Sequence, residues 1–337
     1  MARRTVLALG VDDWARCRFV RSRLFETAQA IRILLDPRPA THQRAWLDTL
    51  DQAEARTRLV VLNALNPPSG WIPDFLAPPA QSGERSVEEE LDDVASYRLA
   101  DVATDLQRSL DSHPTRARRA VLEPLIAEPG AALETIVSEL HWAWTRLIAP
   151  FWSPVHELIT ADIAYRSREI SRSGLGQALS GLHSAVTWRD AAITIEPAFE
   201  HLALDLAGRG LTFMPSAFLW PAVIFVHETP WPPTLVYPAR GVGDLWSAPP
   251  APPAALAGVL GPTRALLLAD LAQPATTTAL AARHRLSPAA VSAQLTRLRD
   301  AGLVTRHRLG KEVLYQRTPL AEHLIHPAAA TSPGPHR

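Results

Sequence analysis

The stretch Ser287-Pro288-Ala289-Ala290-Val291-Ser292-Ala293-Gln294-Leu295-Thr296-Arg297-Leu298, closed by Asp300-Ala301-Gly302-Leu303-Val304, decides how the C-terminal part of the chain folds. Ser287 is placed as an N-cap, whose hydroxyl accepts from an N–H of the first turn. Pro288 follows at the first helical position, where its missing N–H costs nothing. Val291, Leu295 and Leu298 recur at i, i+4 and i+7 and must face a core, and Gly302 ends the helix. The predicted helix is Pro288–Ala301. Its other face carries Ala289, Ser292, Ala293, Thr296 and Arg297, with Gln294 and Arg299 at the edges. Small residues let a helix lie close in a groove about 12 Å wide, and Ser, Gln, Thr and Arg offer donors and acceptors to base edges.

Working outward, Leu256–Leu271 is read as one apolar-periodic helix and Thr276–His284 as another, with the Thr276-Thr277-Thr278 hydroxyls as caps after Pro274. Downstream, Leu303–Arg308 and Glu312–Arg317 alternate across Leu309-Gly310-Lys311, the pattern of a β-hairpin with a basic tip. Three helices and such a hairpin make a winged helix-turn-helix. The candidate contacts to double-stranded DNA are Thr276, Thr277, Ser287, Ala289, Ser292, Ala293, Gln294, Thr296, Arg297, Arg306, Arg308 and Lys311. Ser292, Gln294 and Thr296 are the base-edge candidates. Arg297, Arg306, Arg308 and Lys311 are set for phosphates or the minor groove, contacts that position the protein and make affinity salt-dependent.

Charge agrees with this reading. The net charge is zero, yet Leu256–His326 holds nine Lys or Arg against four acids, while the chain up to Ala255 holds 30 acids against 24 bases. A basic segment on an otherwise acidic chain suits a polyanion, although a basic face is also often only a solvated one. The single cysteine, Cys17, excludes an intramolecular disulfide and a multi-thiolate metal site within one chain, which fits a reducing cytoplasm. The apolar opening Val6-Leu7-Ala8-Leu9 stops at Gly10 and Asp12-Asp13, too short for a secretory leader. No stretch reaches the roughly 18 apolar residues of a membrane span. The expectation is a soluble cytoplasmic protein.

The run Ala248-Pro249-Pro250-Ala251-Pro252-Pro253-Ala254 reads as a stiff linker. It divides a domain at 1–247 from a linker at 248–255, a winged helix-turn-helix at 256–326 and a disordered tail at 327–337. Ahead of it, helical periodicity marks Arg23–Leu35, Gln43–Arg56, Val87–Leu110, Leu133–Ile148 and Val155–Ile170. From His183 onward the pattern turns to short strands at Ala185–Trp188, Ala192–Ile195, Leu211–Met214, Ala222–Val226 and Thr234–Tyr237. Segregated helices and strands give an α+β class: a mainly helical N-terminal domain with a strand-rich second half, then the winged helix.

The C-terminal residues resemble the ArsR family of winged-helix repressors. The likeness runs through Thr276-Thr277-Thr278-Ala279-Leu280-Ala281, Leu286-Ser287-Pro288-Ala289-Ala290-Val291-Ser292, Ala301-Gly302-Leu303-Val304, and Gly310-Lys311 before Val313-Leu314-Tyr315. The preceding domain is similar to the uncharacterised one that accompanies this winged helix in a set of actinobacterial regulators, through Ser22-Arg23-Leu24-Phe25-Glu26, Ala161–Arg166 and Tyr237-Pro238-Ala239-Arg240-Gly241. The resemblance implies a transcriptional repressor, a homodimer on a palindromic operator. Many relatives sense metals through a Cys-Val-Cys motif, but Thr277–Arg285 has no cysteine, and His323 and His326 have one acid, Glu322, beside them. No metal and no cofactor is expected.

Catalytic signatures are missing as well. His156-Glu157 lacks a second histidine four residues on, Gly174-Leu175-Gly176 completes no phosphate-binding fingerprint, and there is no Gly-x-Ser-x-Gly. The expectation is no enzyme and no catalytic residue. All ten tryptophans precede the linker, as ordinary core or as the lining of a pocket for a small apolar effector. The rival readings are a small-molecule-binding protein or enzyme whose winged helix is only autoregulatory, and a protein-interaction module.

Overall fold

The computed structural model describes residues 3–38, 41–67, 72–76, 85–112, 115–189, 191–198, 201–228, 231–246, 252, 254–272, 274–309 and 312–325. Most of the linker, Gly310 and Lys311, His326 and the tail at 327–337 lie outside the described residues. The chain divides into two compact units, one of residues 1–155 and 165–246, the other of 156–164 and 247–337. The class is α+β.

The first unit opens with β1 (Thr5–Ala8), α1 (Val11–Ala15) and β2 (Arg18–Phe19), and continues with α2 (Arg23–Leu35), α3 (Arg44–Leu47), α4 (Gln52–Arg58) and α5 (Val60–Leu65). Then come α6 (Val87–Ala95), α7 (Leu99–Ser112), α8 (Arg116–Ala127), α9 (Pro129–Ala143) and α10 (Trp152–Ser180), which is interrupted by a non-helical Gly174 and whose residues 156–164 group with the second unit. The strands β3 (Val186–Arg189), β4 (Ala192–Ile195), β5 (Leu202–Asp205), β6 (Thr212–Ser216), β7 (Ile224–Val226) and β8 (Thr234–Pro238) follow.

Two four-stranded sheets result. One has the order β3-β4-β1-β5, with β1 antiparallel to β4 (Thr5 opposite Ile195) and parallel to β5 (Thr5 opposite Leu202). The other, β2-β6-β8-β7, has a parallel centre in which Thr212 faces Thr234, and every residue of β6 and β8 is buried. Parallel strands covered on both faces read as continuous apolar runs, as Leu211–Met214 and Leu235–Tyr237 do. Leu7, Ile193, Phe213, Leu235 and Tyr237 meet in one core. At its rim the backbone of Gly210 has φ +74° and packs so closely on Arg16 that a Cβ would sit 2.8 Å from the Arg16 carbonyl oxygen, so only glycine fits.

Several helical spans are more broken than their periodicity implies. Gln43–Arg56 is divided because Asp51 caps a new helix, its carboxylate accepting from the Glu54 N–H at 2.9 Å. Val87–Leu110 is α6 and α7 with a turn at Ser96–Arg98. Helix α9 widens into a π turn at Trp144–Ile148 ahead of Pro150, and the indole N–H of Trp46 donates to the Leu147 carbonyl at 3.0 Å.

The second unit holds α11 (Ala254–Leu260), α12 (Pro262–Asp270), β9 (Ala275–Thr276), α13 (Thr277–His284), α14 (Pro288–Asp300), β10 (Val304–Leu309), β11 (Glu312–Arg317) and α15 (Pro319–Ile325). The single helix expected over Leu256–Leu271 is two. Gly261 takes φ +84° and Pro262 starts the second helix, the usual glycine-then-proline punctuation. Leu268, Leu280, Val291, Leu295, Leu298 and Val304 form its core, and β10-β11-β9 is a three-stranded sheet.

Candidate nucleic-acid interface

The site begins with how α14 is held. Val291, Leu295 and Leu298 are buried, as their spacing requires, and fix the helix by one face. Its N-terminus is capped by Ser287, whose Oγ accepts from the Ala290 N–H at 3.2 Å. Helix α13 is capped likewise, the Thr276 hydroxyl accepting from the Ala279 N–H at 3.1 Å. Both hydroxyls are therefore occupied as acceptors, yet each keeps its proton to donate to an anion at the helix end. The turn between α13 and α14 closes with the Leu286 N–H donating to the Ala281 carbonyl at 2.9 Å, and Arg285 adopts the left-handed conformation at φ 54°.

The outward face of α14 is almost free of its own core. Ala289, Ser292, Ala293 and Arg297 are exposed and Thr296 is half-buried. Gln294 is drawn aside, its side-chain oxygen accepting from Arg264 of α12 at 3.3 Å. Thr277 is half-buried at the start of α13. A helix of 13 residues is about 20 Å long, so this face is long enough to follow a major groove through its first turns.

The hairpin is in register from Val304 opposite Arg317 to Leu309 opposite Glu312. Arg306 and Arg308 are exposed and, two residues apart, share one face of β10. Lys311, expected at the tip, lies outside the described residues. The structure thus places the candidates in two groups: a helix face from Ala289 to Arg297, with Thr276 and Ser287 as caps, and the arginine pair of β10.

Sequence reasoning missed the group that locks α13 in place. Arg283 donates to Asp270 at 2.7 Å, and His284 Nε2 lies 2.8 Å from the other oxygen of the same carboxylate. A second Arg283 nitrogen donates to Glu157 at 3.0 Å, within the 156–164 segment of this unit. The local signal was an acid ending α12 and an Arg-His pair ending α13. At the other end of the unit, His323 sits on α15 with its Nδ1 2.7 Å from the Pro319 carbonyl oxygen.

Residues 262–306, from the start of α12 to the middle of β10, match the family model described as bacterial regulatory protein, arsR family. The chain carries an ArsR-family regulatory domain. That makes it a DNA-binding transcriptional regulator. Outside the ArsR-family domain, residues 98–243 match a family of unknown function (DUF5937). No curated protein and no solved structure matches the chain. Among the described residues no helix is long and apolar enough to cross a membrane.

In the unit ahead of the ArsR-family domain, the tryptophans scatter. Trp46 and Trp231 are buried, and Trp144 packs edge-on against Trp152 at 5.2 Å. Trp220 stands out, being 38% exposed beside the buried Leu219.

Proposed function

We propose that the protein is a cytoplasmic repressor that binds an imperfectly palindromic operator as a homodimer, under the control of a small molecule held by its first unit. The observation that carries this is the face of α14: a helix fixed by Val291, Leu295 and Leu298 that presents Ala289, Ser292, Ala293 and Arg297 outward, in the same unit as the exposed Arg306 and Arg308. Such a helix reads bases through Ser292 and Thr296, and through Gln294 once it leaves Arg264, while the arginines bind phosphate and set the register. A two-fold dimer would set two such helices about one DNA turn, 34–36 Å, apart, which is why the operator should be palindromic.

The test is binding of the full chain to a duplex from its own promoter and to a scrambled duplex, across a range of salt. Expected is a selective complex with a steep salt slope. Arg308→Ala should weaken both duplexes about equally and flatten the slope by about one contact, whereas Ser292→Ala should cost about 1 kcal/mol on the promoter duplex alone. Equal affinity for both duplexes at every salt would defeat the proposal, and binding to a single half-site as tight as to the whole operator would defeat the dimer.

A further inference from the structure

Two helices of the first unit leave a groove between them. Along α6, Glu88, Leu91, Asp92 and Ala95 recur at i, i+3, i+4 and i+7. Along α9, Gly130, Leu133, Glu134 and Val137 recur in the same way, with His141 one turn further on. Both stripes line one cavity of about 660 Å³, the size of a site for a small organic ligand. Small residues keep it open. A Cβ added at Gly130 would meet nothing outside its own helix nearer than the Leu99 Cδ1 at 4.0 Å, and Ala95 fills no more than a methyl group does.

The apolar part of the lining is aliphatic. Leu91 and Leu133 are buried, Val137 is half-buried, and Leu99, at the start of α7, keeps 49% of its surface open. A hydrocarbon chain laid in the groove would cover leucine surface that water now meets.

The charged part of the lining is acidic. Three carboxylates, Glu88, Asp92 and Glu134, stand there with one histidine and with no lysine or arginine. Glu88 is already engaged, since its own backbone N–H and the Ser86 hydroxyl hold it below the usual carboxylate range, helped by His141 and Arg23. Asp92 and Glu134 are exposed, and among the described residues neither carboxylate has a hydrogen-bond donor or a paired cation. Glu88 and Asp92 also stand four residues apart on one helix, where like charges repel, so a cation beside Asp92 lowers the cost of that pair.

We propose that this groove binds an amphiphilic amine in its ammonium form, its hydrocarbon chain along Leu91, Leu99, Leu133 and Val137 and its nitrogen donating to Asp92 and Glu134. A primary ammonium brings three donors to the two carboxylates. A quaternary ammonium brings none, and His141 carries the only ring in the lining that could seat one. The acids do not make a metal site, because among the described residues no three ligating groups meet. The ligand is amphiphilic where the tryptophan content implied an apolar one, and no tryptophan lines its groove. This rests on the effector part of the proposed function and names the ligand class, and its test uses no DNA, so either can fail without the other.

The full chain is titrated calorimetrically at pH 7 with octylamine, octan-1-ol, octanoate and octyltrimethylammonium, each kept below its aggregation limit. Expected is saturable binding of octylamine, at least tenfold tighter than that of octan-1-ol and of octyltrimethylammonium, with octanoate weakest. Asp92→Asn together with Glu134→Gln should weaken octylamine tenfold or more and leave octan-1-ol unchanged. Both side chains are exposed, so the thermal transition should be retained. Ala95→Leu, a helix-compatible change that fills the groove, should weaken amine and alcohol alike and tests the place without touching a charge. Octylamine binding no tighter than the alcohol or the quaternary ion, or binding untouched by these variants, overturns the proposal. So does a Leu- and Lys-rich amphipathic peptide that binds where octylamine does not, which would assign the groove to a protein partner, or self-association of the chain that Asp92→Asn with Glu134→Gln abolishes, which would assign it to a second copy.

Discussion

In the first unit, several buried carboxylates are held by backbone N–H groups far away in sequence, whereas in the second Asp270 is held by charged side chains close by. Glu26 accepts from the N–H groups of Ala217 and Phe218 at 3.1 Å, and Asp13 from that of Gly210 at 2.9 Å. Glu90 takes the Ser22 hydroxyl and the N–H groups of Arg23 and Leu24. Glu139 serves α5, whose own N-cap, Leu59, offers no acceptor, by taking the N–H groups of Val61 and Leu62 at 3.1 and 2.8 Å. These bonds span 66 to 197 residues. Asp270, in contrast, is held by Arg283 and His284, 13 and 14 residues on. A carboxylate that caps a distant backbone segment ties chain ends together, and one that pairs with a nearby cation only fixes two adjacent helices.

The largest expected effect is a pH effect confined to the first unit. Burial pushes Glu26 up to about 8 from an ordinary 4.5, against the hydrogen bonds from Ser216, Phe218 and Ala217. The folded state keeps a proton that the unfolded chain releases near 4.5. Stability is therefore full below that pH and falls as pH rises towards 8, at about 1.4 kcal/mol per unit while one proton separates the states, several kcal/mol in all. Glu26→Gln should flatten the fall. Tryptophan fluorescence in urea at pH 5, 7 and 8.5 reads it, since all ten tryptophans lie before residue 247. A transition indifferent to pH would remove the contrast.

Next in size, Glu90→Ala strands the N–H groups of Arg23 and Leu24 and the Ser22 hydroxyl in a buried site, and should lower the fluorescence midpoint by about 3 kcal/mol. Asp270→Ala leaves Arg283 and the buried His284 without their shared acceptor. It should cost about 2 kcal/mol, seen as faster amide exchange in α12 and α13 with the fluorescence transition unmoved. Should that transition move as far, the two units are not distinct in stability and the comparison breaks. The smallest effect has the opposite sign. Arg285 holds φ 54° at the turn of the helix-turn-helix, a conformation that glycine takes without steric cost, so Arg285→Gly should stabilise the second unit by about 0.5–1 kcal/mol, measurable by the same exchange.

How legible each unit is follows from the same contrast. Apart from the Arg283–Glu157 pair, the winged unit is made of short-range pairings, so its caps, its helix α14 and its hairpin could be read one after another. The exception, α11 and α12, was marked by Gly261-Pro262, a local signal outweighed by the apolar period on either side. In the first unit, strand Thr5–Ala8 has nothing local to mark it: its partners are Ala192–Ile195 and Leu202–Asp205, and by itself it looks like a truncated leader. Strand β2, of two residues, and the six-residue α5 are likewise too short to show a period. The strands Ala192–Ile195 and Thr234–Tyr237, bounded by turn residues, were visible because their apolar runs are self-contained.

What the sequence by itself determined is the regulator: the capped helix with Val291, Leu295 and Leu298 inward, the basic hairpin, and the α+β division of the chain, all properties that repeat within a dozen residues. What only the tertiary structure decided is the company of single groups. The backbone partners of Glu26 and Glu90, and the meeting of Asp92, Leu99 and Glu134 at one groove, join residues that no period relates. Periodicity records which face of a segment is buried, but not against what, and the chemistry of a site depends on the second.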